Sequence, residues 1–149
     1  VLQRAGIDEA MLFPHTGPHV LAAWTHALQE RKIKPIVGAA MTHPAYLVSE
    51  GGFIADSAAT AICRQAAVLG VSAFVVPLTK PELVAKLAVG VPFTAQQEFY
   101  SPGFGAQKGD PAQFPMLARH YLIMGRSLLA AEDPAKKLAE VEKELGMGV

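Results

Sequence analysis

The chain has 149 residues and no net charge, and 51% of its residues are hydrophobic while 17% are charged. This composition is typical of a globular domain with a real core. Nothing in it indicates the basic face that would bind nucleic acids or anionic membranes, so we expect no nucleic-acid partner. No apolar run approaches the roughly 18 residues of a membrane span, so we expect no membrane partner. Cys63 is the single cysteine. It excludes an intrachain disulfide and favours a reducing, cytoplasmic location.

Strand and helix signals alternate along the chain. The predicted elements, in chain order, are strand 10–13, helix 19–31, strand 35–40, helix 54–69, strand 72–76, helix 81–87, strand 98–100, strand 120–124 and helix 134–145. Short continuous apolar runs are typical of strands buried on both faces, and the helices between them predict parallel pairing. Pro18 and Pro134 suit the first turn of a helix, and Gly70 suits a helix end. No linker interrupts the pattern, so residues 1–149 are interpreted as a single domain.

Two loops in the second half carry the strongest functional signal. One reads Ser-Pro-Gly-Phe-Gly-Ala-Gln at 101–107, and the other reads Gly-Arg-Ser at 125–127. Glycines let the backbone approach a ligand, and Arg126 offers a planar fork of donors suited to phosphate. Two such loops after the last two strands predict the phosphate site of a (β/α)8 barrel. Asp110 and Pro111, just after the first loop, predict a helix cap.

The length of the chain conflicts with a complete barrel. A (β/α)8 barrel needs eight strands and about 250 residues, whereas the sequence gives signals for five strands. An open, doubly wound five-stranded sheet is therefore an alternative that periodicity does not exclude. The chain begins at valine, so we expect a fragment or a chain that has lost its start.

Four segments resemble one known family, the orotidine 5′-monophosphate decarboxylases. Ser-Pro-Gly-Phe-Gly-Ala-Gln-Lys-Gly-Asp-Pro at 101–111 resembles the loop after strand seven of that family's barrel. Met-Gly-Arg-Ser at 124–127, with Ala-Glu-Asp-Pro at 131–134, is similar to the strand-eight loop and final helix. Met-Thr-His-Pro at 41–44 and Thr-Lys-Pro-Glu at 79–82 are similar to the turns after strands five and six. The resemblance implies an α/β fold made of about the last five βα units of a TIM barrel.

The resemblance also implies a nucleotide site. The implied residues are Gln107, Gly125 and Arg126 for the 5′-phosphate, and Thr42, Pro102 and Phe104 for the base and ribose. The implied activity is a carboxy-lyase reaction that converts orotidine monophosphate to UMP and CO2 in pyrimidine biosynthesis. The family works without a cofactor or a metal, and it implies a homodimer.

The chemical half of the family's site is missing from this sequence. In the family, an alternating Asp-Lys-Asp-Lys array on the first three strands, including an Asp-x-Lys-x-x-Asp motif, carries the reaction. Its lysine protonates the carbanion left when CO2 departs. The 149 residues contain no such motif. We therefore expect no catalytic residue in this chain, a missing N-terminal half of the barrel as its partner, and no enzymatic rate from the chain alone.

Three other interpretations remain open at this point. A sister sugar-phosphate barrel enzyme would share the Gly-Arg-Ser loop, and a non-catalytic half-barrel would bind nucleotide or pair with another chain. His15, His19 and His43 invite a metal site, but no cysteine or carboxylate joins them convincingly, so ordinary loop histidines are the prediction.

Overall fold

The computed structural model describes residues 1–91, 93–104, 107 and 109–146, and in it parallel strands alternate with helices. The strands are β1 (Glu9–Leu12), β2 (Lys34–Gly38), β3 (Ala73–Val75), β4 (Glu98–Pro102) and β5 (Arg119–Ile123). The helices are α1 (Pro18–Gln29), α2 (Ala58–Val68), α3 (Pro81–Gly90), α4 (Arg126–Leu129) and α5 (Pro134–Glu144). Short 3₁₀ turns lie at Gln3–Ala5, Val48–Glu50 and Pro111–Gln113.

The strand order separates the two folds that the sequence left open. The sheet runs β1-β2-β3-β4-β5, and all four pairings are parallel. A doubly wound sheet reverses its strand order at a switch point, whereas a (β/α)8 barrel adds each strand beside the preceding one. The observed order has no reversal, so the prediction of a partial (β/α)8 barrel is confirmed and the doubly wound alternative is wrong.

The main core lies between the sheet and helices α1, α2 and α3. Val37, Phe74 and Phe99 face each other across β2, β3 and β4 in register, and all three are buried. Leu21 of α1 and Cys63 of α2 pack in the same cluster. Cys63 is thus the small buried hydrophobe that its surroundings suggest, and burial raises the pKa of its thiol to about 12. Truncation of Phe74 to alanine would cost about 3–5 kcal/mol, the usual range for a buried aromatic ring.

The other face of the sheet, which would be the barrel interior, holds a smaller cluster. Ile36, Ala73 and Val75 are buried there, and Phe13 and Tyr100 pack against them. A Cβ atom at Gly38 would lie 2.2 Å from the Phe13 ring, so only glycine leaves room for this ring over β2.

Local signals placed most element ends correctly. Pro18 and Pro134 begin α1 and α5, and Gly70 follows α2 with φ of 79°. The predicted start of α2 at residue 54 was wrong, because the segment before it folds on itself. Val48 N–H donates to Ile54 O at 2.8 Å, and Ile54 N–H donates to Tyr46 O at 3.2 Å.

Among the described residues no helix is both long and apolar enough to cross a membrane.

Candidate functional site

The residues predicted to bind a ligand all lie at one edge of the sheet. Thr42 follows β2, Pro102 ends β4, and Gln107 lies in the loop after β4. Gly125 and Arg126 follow β5. Because parallel strands direct their carboxyl ends to the same edge, these loops meet above the sheet, where barrel enzymes bind their ligands.

A cavity of about 210 Å³ brings five of the six predicted residues together. Its lining consists of Pro102, Gly103, Phe104, Gln107, Ile123, Gly125, Arg126 and Ser127. The lining combines the apolar side chains of Pro102, Phe104 and Ile123 with the polar side chains of Gln107, Arg126 and Ser127. Such a mixture of apolar walls and a few polar groups is typical of a small-molecule site. Ser127 belongs to the Gly-Arg-Ser loop that the sequence indicated, whereas Ile123, the last residue of β5, was not predicted as part of the site.

Thr42 does not line this cavity but is connected to it. Gln107 Nε2 donates a hydrogen bond of 3.2 Å to Thr42 Oγ1. Thr79, after β3, donates from Oγ1 to the Thr42 carbonyl at 3.0 Å. Three successive loops are therefore joined through Thr42, and Thr79 is a member of the site that sequence reasoning mentioned only as part of a motif.

The glycines of the two loops have different roles. Gly103 has φ of +106°, and a Cβ there would lie 3.2 Å from Thr79 Cγ2 and 3.3 Å from Gln107 Oε1. Gly109 N–H donates to Gly103 O at 2.9 Å, and a Cβ at Gly109 would lie 2.4 Å from Leu78 Cβ. These two glycines are required by the protein's own packing. Gly105, Ala106 and Lys108 of the same motif lie outside the described residues.

Gly125 is different, because a Cβ built there would meet no atom within 4 Å. It precedes α4, and its carbonyl accepts from Leu128 N–H and Leu129 N–H at 3.0 Å each. No described protein atom is therefore close enough to exclude a Cβ at this position. Gly125 also lines the cavity, so its backbone is accessible to a ligand there.

The base of the β4 loop is fixed by a partly buried polar pair. His120 Nε2 and Ser101 Oγ share a hydrogen bond of 2.6 Å, and Ser101 is fully buried. Phe114, which is also buried, packs its ring edge against His120. Burial lowers the pKa of the His120 imidazole.

Asp110 accepts from Ala112 N–H at 2.9 Å, so the predicted helix cap is confirmed.

The loop that carries Thr42 is held by a second polar cluster. Glu50 accepts from the backbone N–H of Tyr46 at 3.1 Å and of Leu47 at 3.3 Å, and its carboxylate lies 2.6 Å from Lys80 Nζ. The hydrogen bond from Lys80 lowers the pKa of the Glu50 carboxyl. Tyr46 Oη in turn shares a hydrogen bond of 2.8 Å with His15 Nε2.

The histidines have ordinary packing partners. His15 bonds Tyr46, and His43 packs edge-on against the same ring at 5.7 Å. Within the described residues, no group of three or more histidine, cysteine, aspartate or glutamate side chains is placed to hold a metal ion.

Sequence reasoning missed a row of alternating charges on the interior face of the sheet, which we call the charged row. It comprises Glu9, Lys34, Glu98 and Arg119, each the first residue of its strand. Lys34 Nζ lies 2.8 Å from Glu9 and also contacts Glu98, and Arg119 Nη2 lies 2.8 Å from Glu98. The sequence signal that could have revealed the charged row is the alternation of acidic and basic residues at the first positions of these four strands.

The charged row is not a substitute for the missing Asp-Lys array. It lies at the amino ends of the strands, whereas the ligand loops leave the carboxyl ends. A five-residue strand spans about 13 Å between its first and last residues, too far for Lys34 to reach a ligand in the loops. Burial acts to lower the pKa of the Lys34 ammonium, but its hydrogen bonds to Glu9, Glu98 and Tyr100 raise it overall.

Comparison with known proteins gives one consistent result. The chain is 30% identical over 144 residues to the orotidine 5′-phosphate decarboxylase of Methanosarcina mazei, covering 95% of this chain and 61% of that protein. It is 32% identical over 146 residues to the Methanosarcina barkeri protein of the same name, again with 62% of that protein covered. The chain thus spans about three fifths of the length of these relatives, in their C-terminal portion. No family model matches the chain.

Solved structures agree on the fold. The orotidine 5′-monophosphate decarboxylase of Methanocaldococcus jannaschii, crystallised with the inhibitor BMP, superposes with a TM-score of 0.74 at 23% identity. That match covers 91% of this chain and 60% of the other. The Sulfolobus solfataricus enzyme gives a TM-score of 0.72 at 18% identity, covering 97% of this chain and 65% of the other.

Proposed function

Because this chain is homologous to the C-terminal portion of orotidine 5′-phosphate decarboxylases, we propose that it is the nucleotide-binding part of such an enzyme. The reaction converts orotidine monophosphate to UMP and CO2 without a cofactor. Residues 1–149 act in it as one domain that holds the substrate. The proposal includes a homodimeric enzyme in the cytoplasm.

The observation that carries the proposal is the cavity shared by the β4 and β5 loops. It combines the Arg126 guanidinium, the Gln107 amide and open backbone at Gly125. A phosphate dianion suits this set, because guanidinium binds it through paired charge-assisted hydrogen bonds and amide N–H groups complete its coordination. Pro102 and Phe104 form an apolar wall of the same cavity. A ribose and a base next to the phosphate would pack against such a wall.

In the proposed enzyme Thr42 faces the pyrimidine. Its hydroxyl accepts from Gln107, so the base end and the phosphate end of the ligand are held by one connected set of side chains. A segment that only binds substrate contributes to catalysis by positioning it. Binding energy gained at the phosphate holds the reacting base in place.

The bond-breaking chemistry belongs to a second segment. When the carboxylate leaves as CO2, the electron pair of the broken bond stays on the pyrimidine carbon, and a lysine delivers a proton there. An ammonium next to that carbon stabilises the developing charge. This chain has no Asp-x-Lys-x-x-Asp motif. We propose that the N-terminal part of the barrel supplies the array.

The β1 edge supports this partner. An apolar cavity of about 500 Å³ opens there and is lined by Leu2, Met11, Leu12, Phe13, Trp24, Ala27 and Leu28. Met11 and Trp24 are each more than two fifths exposed. A strand edge with apolar side chains on both of its faces invites another strand and helix. A βα unit that precedes β1 in a barrel would supply such a strand and helix.

Titration with UMP tests the binding half of the proposal. We expect the 149-residue chain to bind UMP more tightly than ribose 5-phosphate, and Arg126→Gln to weaken UMP binding at least about tenfold, the value of a lost charge-assisted hydrogen bond. Arg4→Gln, the same change at an exposed site before β1, is the matched control and should leave affinity unchanged. Tighter binding of ribose 5-phosphate would favour a sugar-phosphate barrel instead.

A decarboxylation assay tests the division of labour. The chain alone should release no CO2 from orotidine monophosphate at an enzymatic rate. Mixing it with the N-terminal segment of the Methanosarcina mazei relative, the part preceding the matched region, should restore turnover. Turnover by the chain alone would contradict the proposal. UMP binding without restored turnover would favour a non-catalytic half-barrel.

A further inference from the structure

The geometry of the charged row points to the chemistry of the strands that would complete the barrel. We propose that those strands present uncharged side chains to the interior layer that contains Lys34 and Glu98. This inference rests on the proposed N-terminal partner, and it specifies what that partner brings to one layer of the interior.

The ammonium of Lys34 has no donor left for a partner. It bonds Glu9 Oε1 at 2.8 Å and Tyr100 Oη at 3.1 Å, and it also bonds Glu98 Oε2. An ammonium has three N–H donors, so these three acceptors satisfy it.

The carboxylate of Glu98 already contacts two cations and a hydroxyl of this chain. One oxygen accepts from Lys34 and from Tyr100 Oη at 3.0 Å, and the other lies 2.8 Å from Arg119 Nη2. Its side chain is only 15% exposed. The hydrogen bond from Lys34 lowers the pKa of this carboxyl, so it stays charged. Lys34 and Glu98 therefore neutralise each other within this chain.

The position of this pair decides which strands would meet it. Lys34 lies on β2 and Glu98 on β4, and the two meet because the residue facing inward on β3, Ala73, has no side chain beyond Cβ. In a (β/α)8 barrel the inward side chains of alternate strands share a layer of four. The layer of β2 and β4 is therefore completed by two strands of the missing part.

A charge brought into that layer would be buried without a free partner. A new carboxylate would find the Lys34 donors used, and a new ammonium would find Glu98 already paired with Lys34 and Arg119. A buried unpaired charge is strongly destabilising. Small or apolar side chains from the completing strands avoid this cost.

A comparison of stability and partner affinity tests the inference. Lys34→Met should lower the melting temperature of the 149-residue chain by at least about 3 °C, because Glu98 loses its main partner. Its affinity for the N-terminal segment of the Methanosarcina mazei relative should stay within about twofold of the original chain, because no partner charge depends on Lys34. Glu98→Gln is the second variant and should behave alike.

Met11→Glu is the matched control, because Met11 faces the interior on the exposed edge strand. It should leave the melting temperature unchanged and weaken partner binding at least about tenfold. If the original chain binds the segment and both Lys34→Met and Glu98→Gln weaken that binding, the inference is overturned while the proposed function stands. An unchanged melting temperature in both variants also overturns it. If the original chain does not bind the segment, the proposed partner and the inference fail together.

Discussion

Gln107 Nε2 donates to Thr42 Oγ1 at 3.2 Å and so joins the loop after β4 to the loop after β2. The two residues are 65 positions apart, and each was assigned to a different end of the same ligand. Because a primary amide has two N–H groups, Gln107 can bond Thr42 and a phosphate oxygen at the same time. The phosphate end and the base end of the site are therefore mechanically connected before a ligand arrives.

Thr42→Val tests this connection, because valine keeps the shape of threonine but offers no hydroxyl. We expect UMP affinity to fall about fivefold, the usual value of one neutral hydrogen bond. In combination with Gln107→Ala the change should add little, since the bond is already lost. Thr16→Val, at an exposed threonine in the loop after β1, is the control for the substitution itself. Full additivity of Thr42→Val and Gln107→Ala would show that the two residues act independently.

Gly125→Ala separates ligand binding from folding. The added methyl group meets no protein atom within 4 Å, so we expect an unchanged melting temperature. The same methyl group would occupy space that the phosphate needs, so UMP affinity should fall at least about tenfold. Calorimetry of unfolding and of binding on one sample measures both effects.

Gly103→Ala is the contrasting variant. At φ of +106°, and with Thr79 3.2 Å from the new Cβ, alanine should destabilise the fold by about 1 kcal/mol or more. Equal loss of stability at positions 103 and 125 would contradict the distinction between a packing glycine and a ligand glycine.

The stability of the fold should depend on pH through His120. Burial against Ser101 and Phe114 lowers the pKa of this imidazole below its ordinary value of 6.5 in the folded state. The unfolded chain therefore binds a proton more readily than the folded chain. The contribution of neutral His120 is fully present above pH 6.5 and is lost as the pH falls toward the folded-state pKa.

Denaturant titrations between pH 7.5 and pH 5, about the range in which histidine titrates, measure this dependence. His120→Gln should reduce the slope of unfolding free energy against pH. His19→Gln, at an exposed histidine, is the control for the substitution itself. Part of the slope should persist in His120→Gln, because burial also lowers the pKa of His15. An unchanged slope in His120→Gln would contradict the assignment.

Glu50→Gln tests the cluster that holds the Thr42 loop. The carboxylate accepts from two backbone N–H groups and pairs with Lys80, so we expect a loss of about 1–2 kcal/mol in unfolding free energy. Glu30→Gln, at an exposed site beside Arg31, should be neutral within error. Hydrogen exchange of the Tyr46 and Leu47 amides should increase in Glu50→Gln and not in Glu30→Gln.

The sequence predicted those features that depend on neighbouring residues. Apolar runs located all five strands, and prolines and glycines located most helix ends, because these signals act within one turn or one strand. The cavity was also predictable, because parallel strands must bring the loops containing Gln107 and Arg126 to the same edge.

Features that depend on strand register or on loop folding were not predictable. The charged row joins Lys34 of β2 to Glu98 of β4 across β3, and only the three-dimensional arrangement of the strands brings these two side chains together. The late start of α2 follows from backbone bonds between Tyr46, Val48 and Ile54, which no local pattern indicates. The bond between Gln107 and Thr42 likewise requires knowledge of how far each loop reaches.

The sequential order of the strands has a consequence for how the chain folds. Each strand pairs with the strand made just before it, so every pairing closes only one βα connection. Contacts of this kind form early and quickly, because little loop-closure entropy is lost at each step. The sheet can therefore grow from β1 to β5 in the order of synthesis. None of these four steps requires a strand from outside residues 9–123.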